Sequence, residues 1–167
     1  MQKIVVAWGF DYLGRPGQDI TNANTHNEGK SNTTTKGLDP LDKAPASAAY
    51  VSGGLQKKLG FKPLPGPRPD MSPANQRAAI LADMGRAGQE VAAGGIVVAY
   101  FCGHGVQVDG QQFVRTELMD VAAVELLAAF SQAVGEKPAS IVLAFDCCRT
   151  ADISPRLPGV CGCVWRL

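Results

Sequence analysis

Ile96-Val97-Val98-Ala99-Tyr100-Phe101-Cys102-Gly103-His104-Gly105 is the stretch on which the fold turns. Gly94-Gly95 precedes it, and an unbroken apolar run follows. A short run rich in β-branched and aromatic residues reads as a strand buried on both faces, as in parallel sheets. Working outward, two more such runs stand out. Ile141-Val142-Leu143-Ala144-Phe145 stops at Asp146-Cys147-Cys148-Arg149, and Ile4-Val5-Val6-Ala7-Trp8 stops at Gly9. Helical spacing lies between them. Strands alternating with helices imply an α/β fold with a mainly parallel sheet and helices on its faces.

The connecting segments fit that reading. Ala46 to Leu59 has helical spacing, with Ala49, Leu55 and Leu59 on one side and Lys57 and Lys58 on the other. Gly53-Gly54 weakens that helix, and Gly60 suits its C-cap. Five prolines between Pro63 and Pro73 predict a loop. Ser72 then caps a helix with Pro73 at its first position, running through Ile80 and Met84 towards Val91. Val106 to Phe113, centred on Asp109-Gly110, has hairpin chemistry. Asp120 opens a nearly all-apolar helix, Val121 to Val134. The polar stretch 11–44 is expected to be a long loop, and 153–167 an irregular tail.

The chain has 167 residues, net charge +1, 46% hydrophobic and 19% charged residues. This composition describes a single globular domain. A near-neutral chain lacks the cationic face of a nucleic-acid or polybasic membrane binder. No apolar run is long enough to span a bilayer, and the first apolar run is too short for a signal-peptide core. Neither nucleic acid nor membrane is therefore expected as a partner. Five cysteines (102, 147, 148, 161 and 163) are odd in number and two are adjacent, unlike a disulfide framework. A reducing, cytoplasmic setting is expected. Cys161-Gly162-Cys163 lacks companions at zinc spacing, and Asp11, Asp19, Glu28 and Asp39 are scattered. Neither metal nor cofactor is expected.

In an open α/β sheet, ligands bind beyond the carboxyl ends of the strands. One strand end here offers His104, the other Cys148. A thiol beside an imidazole is a nucleophile beside a general acid/base, and a cationic neighbour such as His104 or Arg149 lowers a thiol pKa. Gly103 and Gly105 would let the backbone turn sharply. The amides of Gly105 and Cys148 could then receive the oxyanion of an acyl-transfer intermediate. A histidine after a strand is more often structural, and a cysteine there is more often core. The pairing of both at strand ends is what neither bland reading accounts for.

At these residues the sequence resembles the caspase-like cysteine peptidases. Tyr100 to Gln107 is similar to their strand followed by Gly-His-Gly, and Ile141 to Arg149 to their strand followed by Asp-x-Cys-Arg. Gly9-Phe10-Asp11-Tyr12 and Leu59-Gly60-Phe61 are weaker likenesses to metacaspase segments. The resemblance runs over residues 1–152, taken as a large-subunit-like catalytic domain. It implies a three-layer caspase-like fold, with His104 as general acid/base and Cys148 as nucleophile. Cys147 then fills the variable position, and Cys102 replaces the usual Ser or Ala. Asp146 matches the acid that makes metacaspase and paracaspase relatives cut after Arg or Lys, since an acid at a pocket base favours a basic side chain. Arg15 lies roughly where Asp-cutting caspases use an arginine; in so polar a loop it reads as solvated.

The chain ends at Leu167, soon after Cys148. The two further strands of a full caspase-like domain are expected to be lacking, with at most one short strand between Val160 and Trp165. The strand leading to Cys148 would then be a sheet edge, open to a separate small-subunit chain or to self-association. Three functions remain open. The first is a cysteine endopeptidase acting on protein or peptide substrates. The second is a catalytically poor caspase-like module that binds or scaffolds. The third is an unrelated α/β redox or hydrolase domain, although no C-x-x-C, G-x-S-x-G or phosphate loop is present. His104-dependent alkylation of Cys148 separates the first from the second.

Overall fold

The computed structural model describes residues 1–12, 41–66, 72–147, 150–151 and 162–166. In chain order its elements are β1 (Lys3–Gly9), α1 (Ala44–Leu59), β2 (Lys62–Pro63), α2 (Pro73–Glu90), β3 (Gly95–Gly103) and β4 (Gly105–Val108). They continue with β5 (Gln111–Arg115), β6 (Asp120–Ala122), α3 (Ala123–Val134), β7 (Ala139–Cys147), β8 (Thr150–Ala151) and β9 (Gly162–Arg166). The main sheet has the order β2-β1-β3-β7-β9. Its first four strands are parallel, and β9 runs antiparallel to β7. A smaller sheet, β6-β5-β4-β8, is mostly antiparallel. The α/β class with a mainly parallel sheet is as the apolar runs imply.

Side-chain alternation divides the main sheet into two faces. Ile4, Val6, Trp8, Val97, Phe101 and Ile141 join Ile80, Met84 and Phe130 of the helices in one core. On this face the Trp8 indole donates to Asp83 of α2 at 3.1 Å. The opposite face carries α1, whose Ala44 and Ala48 are buried. Its approach is close: a Cβ on Gly9 would lie 2.2 Å from the Ala44 carbonyl oxygen. α2 and α3 also meet at backbone distance, since a Cβ on Gly88 would lie 2.7 Å from the Phe130 carbonyl oxygen. The Lys137 ammonium closes the C-terminal end of α2, donating to the carbonyls of Gly88, Gln89 and Val91 at 3.0, 3.0 and 3.1 Å. A cation at that end also complements the helix dipole.

Several expectations need correction. Residues 120–122 are not the start of a helix but a strand paired with β5, and α3 begins at Ala123. The Glu125 carboxylate accepts from the Ala122 N–H at 2.9 Å, which fixes that start. Ser72 takes the N-cap position of α2 with extended backbone, but its side chain makes no capping hydrogen bond. The one short strand allowed between Val160 and Trp165 is present as β9, so the tail is not wholly irregular and β7 is not a sheet edge: β3 and β9 flank it. Of the polar stretch 11–44, Asp11, Tyr12 and 41–44 are described, α1 has already begun at Ala44, and 13–40 lie outside the described residues. The Asp109-Gly110 hairpin is present, with φ of 49° and 78° at its two turn residues.

Candidate functional site

β3 and β7 are parallel neighbours in register, from Gly95 opposite Ala139 to Gly103 opposite Cys147. Beyond Gly103 comes His104, then β4 of the small sheet. Beyond Cys147 come Cys148 and Arg149, then β8 of the same small sheet. β4 and β8 are themselves parallel, with Val106 opposite Thr150. The chain therefore passes from the main sheet to the small sheet twice, between paired strands. His104 belongs to one passage and Cys148 to the other. Cys148 and Arg149 lie outside the described residues, as do Arg15 and Cys161.

The His104 backbone is held from both sides. Its N–H donates to the Tyr12 hydroxyl at 2.9 Å, and its carbonyl accepts from the Arg115 N–H at 2.9 Å. The same Tyr12 hydroxyl donates to the Arg115 carbonyl at 2.6 Å. Its ring meets the imidazole edge-on, with centroids 4.5 Å apart. Tyr12 is only 5% exposed, and its φ of 54° is left-handed, which is rare for an aromatic residue. Burial holds its phenol well above the usual range. Sequence reasoning placed Tyr12 in the polar loop and missed this role. The aromatic pair Phe10 and Tyr12 after β1 was the available signal.

Gly103 and Gly105 do not carry the positive φ expected of a sharp turn; each instead admits a close neighbour. A Cβ on Gly103 would stand 2.5 Å from the Tyr12 hydroxyl oxygen. One on Gly105 would stand 2.4 Å from the Cys147 sulfur. Cys147 packs against the core, with the Gln112 amide 3.6 Å from its sulfur.

Asp146 falls on the opposite face of β7, the α1 side, and is exposed. Tyr100 donates its hydroxyl to Asp146 Oδ2 at 2.8 Å, and the Cys102 thiol lies 3.9 Å from the same oxygen. Burial, then the Asp146 carboxylate, pushes the Cys102 thiol up. Burial and the Asp146 hydrogen bond likewise hold the Tyr100 phenol above its usual range, so it remains a donor. Tyr100 and Cys102 share one face of β3 with Asp146 of β7, a companionship that the all-apolar run before them does not reveal. Cys102 is a free thiol.

A cavity of about 240 Å³ opens at the carboxyl end of β1, between α1 and Leu64 to Gly66. Its lining includes Asp11 and Glu117 but neither His104 nor Asp146. Glu117 is fixed there by the buried Gln76, which donates to its carboxylate and accepts from its N–H, both at 2.9 Å. Among the described residues, no three His, Cys, Asp or Glu side chains are grouped to hold a metal ion, and no helix is long and apolar enough to cross a membrane. No protein-family model matches the sequence, and no curated protein matches it.

Proposed function

We propose that the chain is a caspase-like cysteine endopeptidase that cleaves protein or peptide substrates after Arg or Lys. The observation that carries this reading is the double passage between sheets, with His104 and Cys148 following strand ends that face each other at Gly103 and Cys147. In the proposed reaction, His104 takes the Cys148 thiol proton and the sulfur attacks the substrate carbonyl carbon. The amides of Gly105 and Cys148 are assigned to the oxyanion. His104 then gives its proton to the leaving amine as the C–N bond breaks. Water hydrolyses the acyl-enzyme and restores the thiol.

Asp146 is assigned to the base of the pocket for the basic side chain. An exposed carboxylate oriented by Tyr100 suits a guanidinium or an ammonium through a charge-assisted contact. Cys147 is assigned to packing, in keeping with its place against Gly105 and the core. A partner chain supplying further strands would add to β9, the outer strand on that side of the main sheet.

The purified chain is tested on fluorogenic peptides ending in Arg, Lys or Asp, with Cys148→Ala and His104→Ala as controls. The expected result is cleavage after Arg and Lys that both substitutions abolish, together with His104-dependent alkylation of Cys148. Faster cutting after Asp would overturn the role given to Asp146. A folded chain that cuts nothing and shows no His104-dependent alkylation would overturn the peptidase reading in favour of a binding or scaffolding module.

A further inference from the structure

The histidine of a thiol–imidazole pair works only if its ring is held at a fixed place. A displacement of about 1 Å can cost roughly a hundredfold in rate. His104 sits where the chain leaves one sheet and enters another. The described residues around it solve this with a closed circuit. His104 N–H donates to Tyr12, Tyr12 O–H donates to the Arg115 carbonyl, and Arg115 N–H donates back to the His104 carbonyl.

Three further features centre on the Tyr12 hydroxyl. Gly103 leaves it room, because a Cβ there would fall 2.5 Å from the oxygen. The Tyr12 backbone takes a left-handed conformation with φ of 54°, which is unfavourable for an aromatic residue and persists only when its surroundings fix it. The ring is wedged edge-on between Phe10, with centroids 6.3 Å apart, and the His104 imidazole at 4.5 Å. An aromatic that served the core alone would need none of the hydroxyl contacts.

We infer that Tyr12 is a positioning residue for His104: its hydroxyl fixes the His104 peptide and its ring fixes the plane of the imidazole. The inference rests on the proposed role of His104 as proton carrier. Tyr12 acts through His104 alone.

The test compares the full chain with Tyr12→Phe, which keeps the ring and removes the hydroxyl. Tyr50→Phe serves as control, since Tyr50 is 82% exposed. With an Arg-ended peptide, Tyr12→Phe should lower kcat by about 10- to 100-fold and leave KM within about twofold. NMR supplies a reading that does not depend on turnover. The chain has two histidines, His26 and His104, so His26→Gln assigns the imidazole signals. In the wild-type chain the His104 amide should exchange at least about 100-fold more slowly than a free amide, and its imidazole should show a contact to the Tyr12 ring. In Tyr12→Phe that protection should be lost and the imidazole signals should move.

An active wild type whose kcat is unchanged in Tyr12→Phe would overturn the inference and leave the peptidase reading intact. An unprotected His104 amide in the wild type would do the same, even if the variant did not fold. A wild type with slow His104 exchange but no cysteine-dependent cleavage would overturn the peptidase reading, and the positioning role with it.

Discussion

The Cys147 sulfur occupies the space that a Gly105 side chain would need, 2.4 Å from where its Cβ would be built. Gly105 begins β4, Cys147 ends β7, and the two passages between sheets touch at this point. Gly105→Ala should therefore destabilise the fold by about 1–3 kcal/mol, the usual cost of overpacking. Cys147→Ala removes the obstructing sulfur, so the double variant should recover part of that loss. A denaturant double-mutant cycle measures the coupling, and simple additivity would show that the two residues do not meet. Cys147→Ala alone should also leave peptide cleavage intact. If it abolished cleavage while Cys148→Ala did not, the nucleophile would be the other cysteine.

Asp146 is exposed and accepts a hydrogen bond from Tyr100 at 2.8 Å. Its charge is thus displayed without supporting the core. Asp146→Ala should change stability by no more than about 0.5 kcal/mol, as at other surface positions. On the proposed reading it should lower kcat/KM for Arg-ended peptides by about 100-fold or more, because a charge-assisted contact is lost. Tyr100→Phe should have a smaller effect in the same direction, since the charge stays and only its orientation is freed. Steady-state kinetics on Arg- and Lys-ended peptides decides both, and an Asp146 variant with unaltered kinetics would remove it from the pocket.

Asp83 accepts from the Trp8 indole within the core, and burial raises its carboxyl above the ordinary range, against the pull of Trp8 and Arg86. Asp120 is raised by burial as well, with Arg115 opposing. A carboxyl raised in the folded state binds protons more readily there than in the unfolded chain. Its contribution to stability is complete below the unfolded value and is lost as pH climbs through the folded one. Urea denaturation should thus show stability falling from about pH 4 towards neutrality. Asp83→Asn, which keeps an oxygen for the indole, should flatten that decline. A steeper decline in the variant would refute the burial account.

The strands of the main sheet were legible because their central runs hold nothing but apolar residues. Ile4–Trp8, Ile96–Phe101 and Ile141–Phe145 all fall inside β1, β3 and β7. Their alternation could not be read for the same reason, so the companionship of Tyr100, Cys102 and Asp146 was hidden. Val121-Ala122 illustrates a different limit. Two apolar residues before an apolar helix cannot be split into strand and helix by period alone, and only the cap made by Glu125 marks the border. The aromatic pair Phe10 and Tyr12 hints at burial, but the partners of Tyr12, His104 and Arg115, lie more than ninety positions away in the chain. Local propensity carries no trace of such contacts. The likeness around His104 and Cys148 was readable from residue types, whereas the reason for the two glycines was visible only in three dimensions.

The zero-offset pairing of β3 with β7 also has a bearing on folding fidelity. Adjacent side chains on β7 have opposite needs: Cys147 packs towards the helical core, and Asp146 stays in water. A slip by one residue exchanges the faces of the whole strand. It would drive the Asp146 carboxylate in beside Phe101 and turn Cys147 outward, and burying an unpaired carboxylate costs several kcal/mol. The acidic residue next to Cys147 thus sets a cost on any register of β7 other than the native one. The same carboxylate assigned to the substrate pocket therefore also discriminates between strand registers.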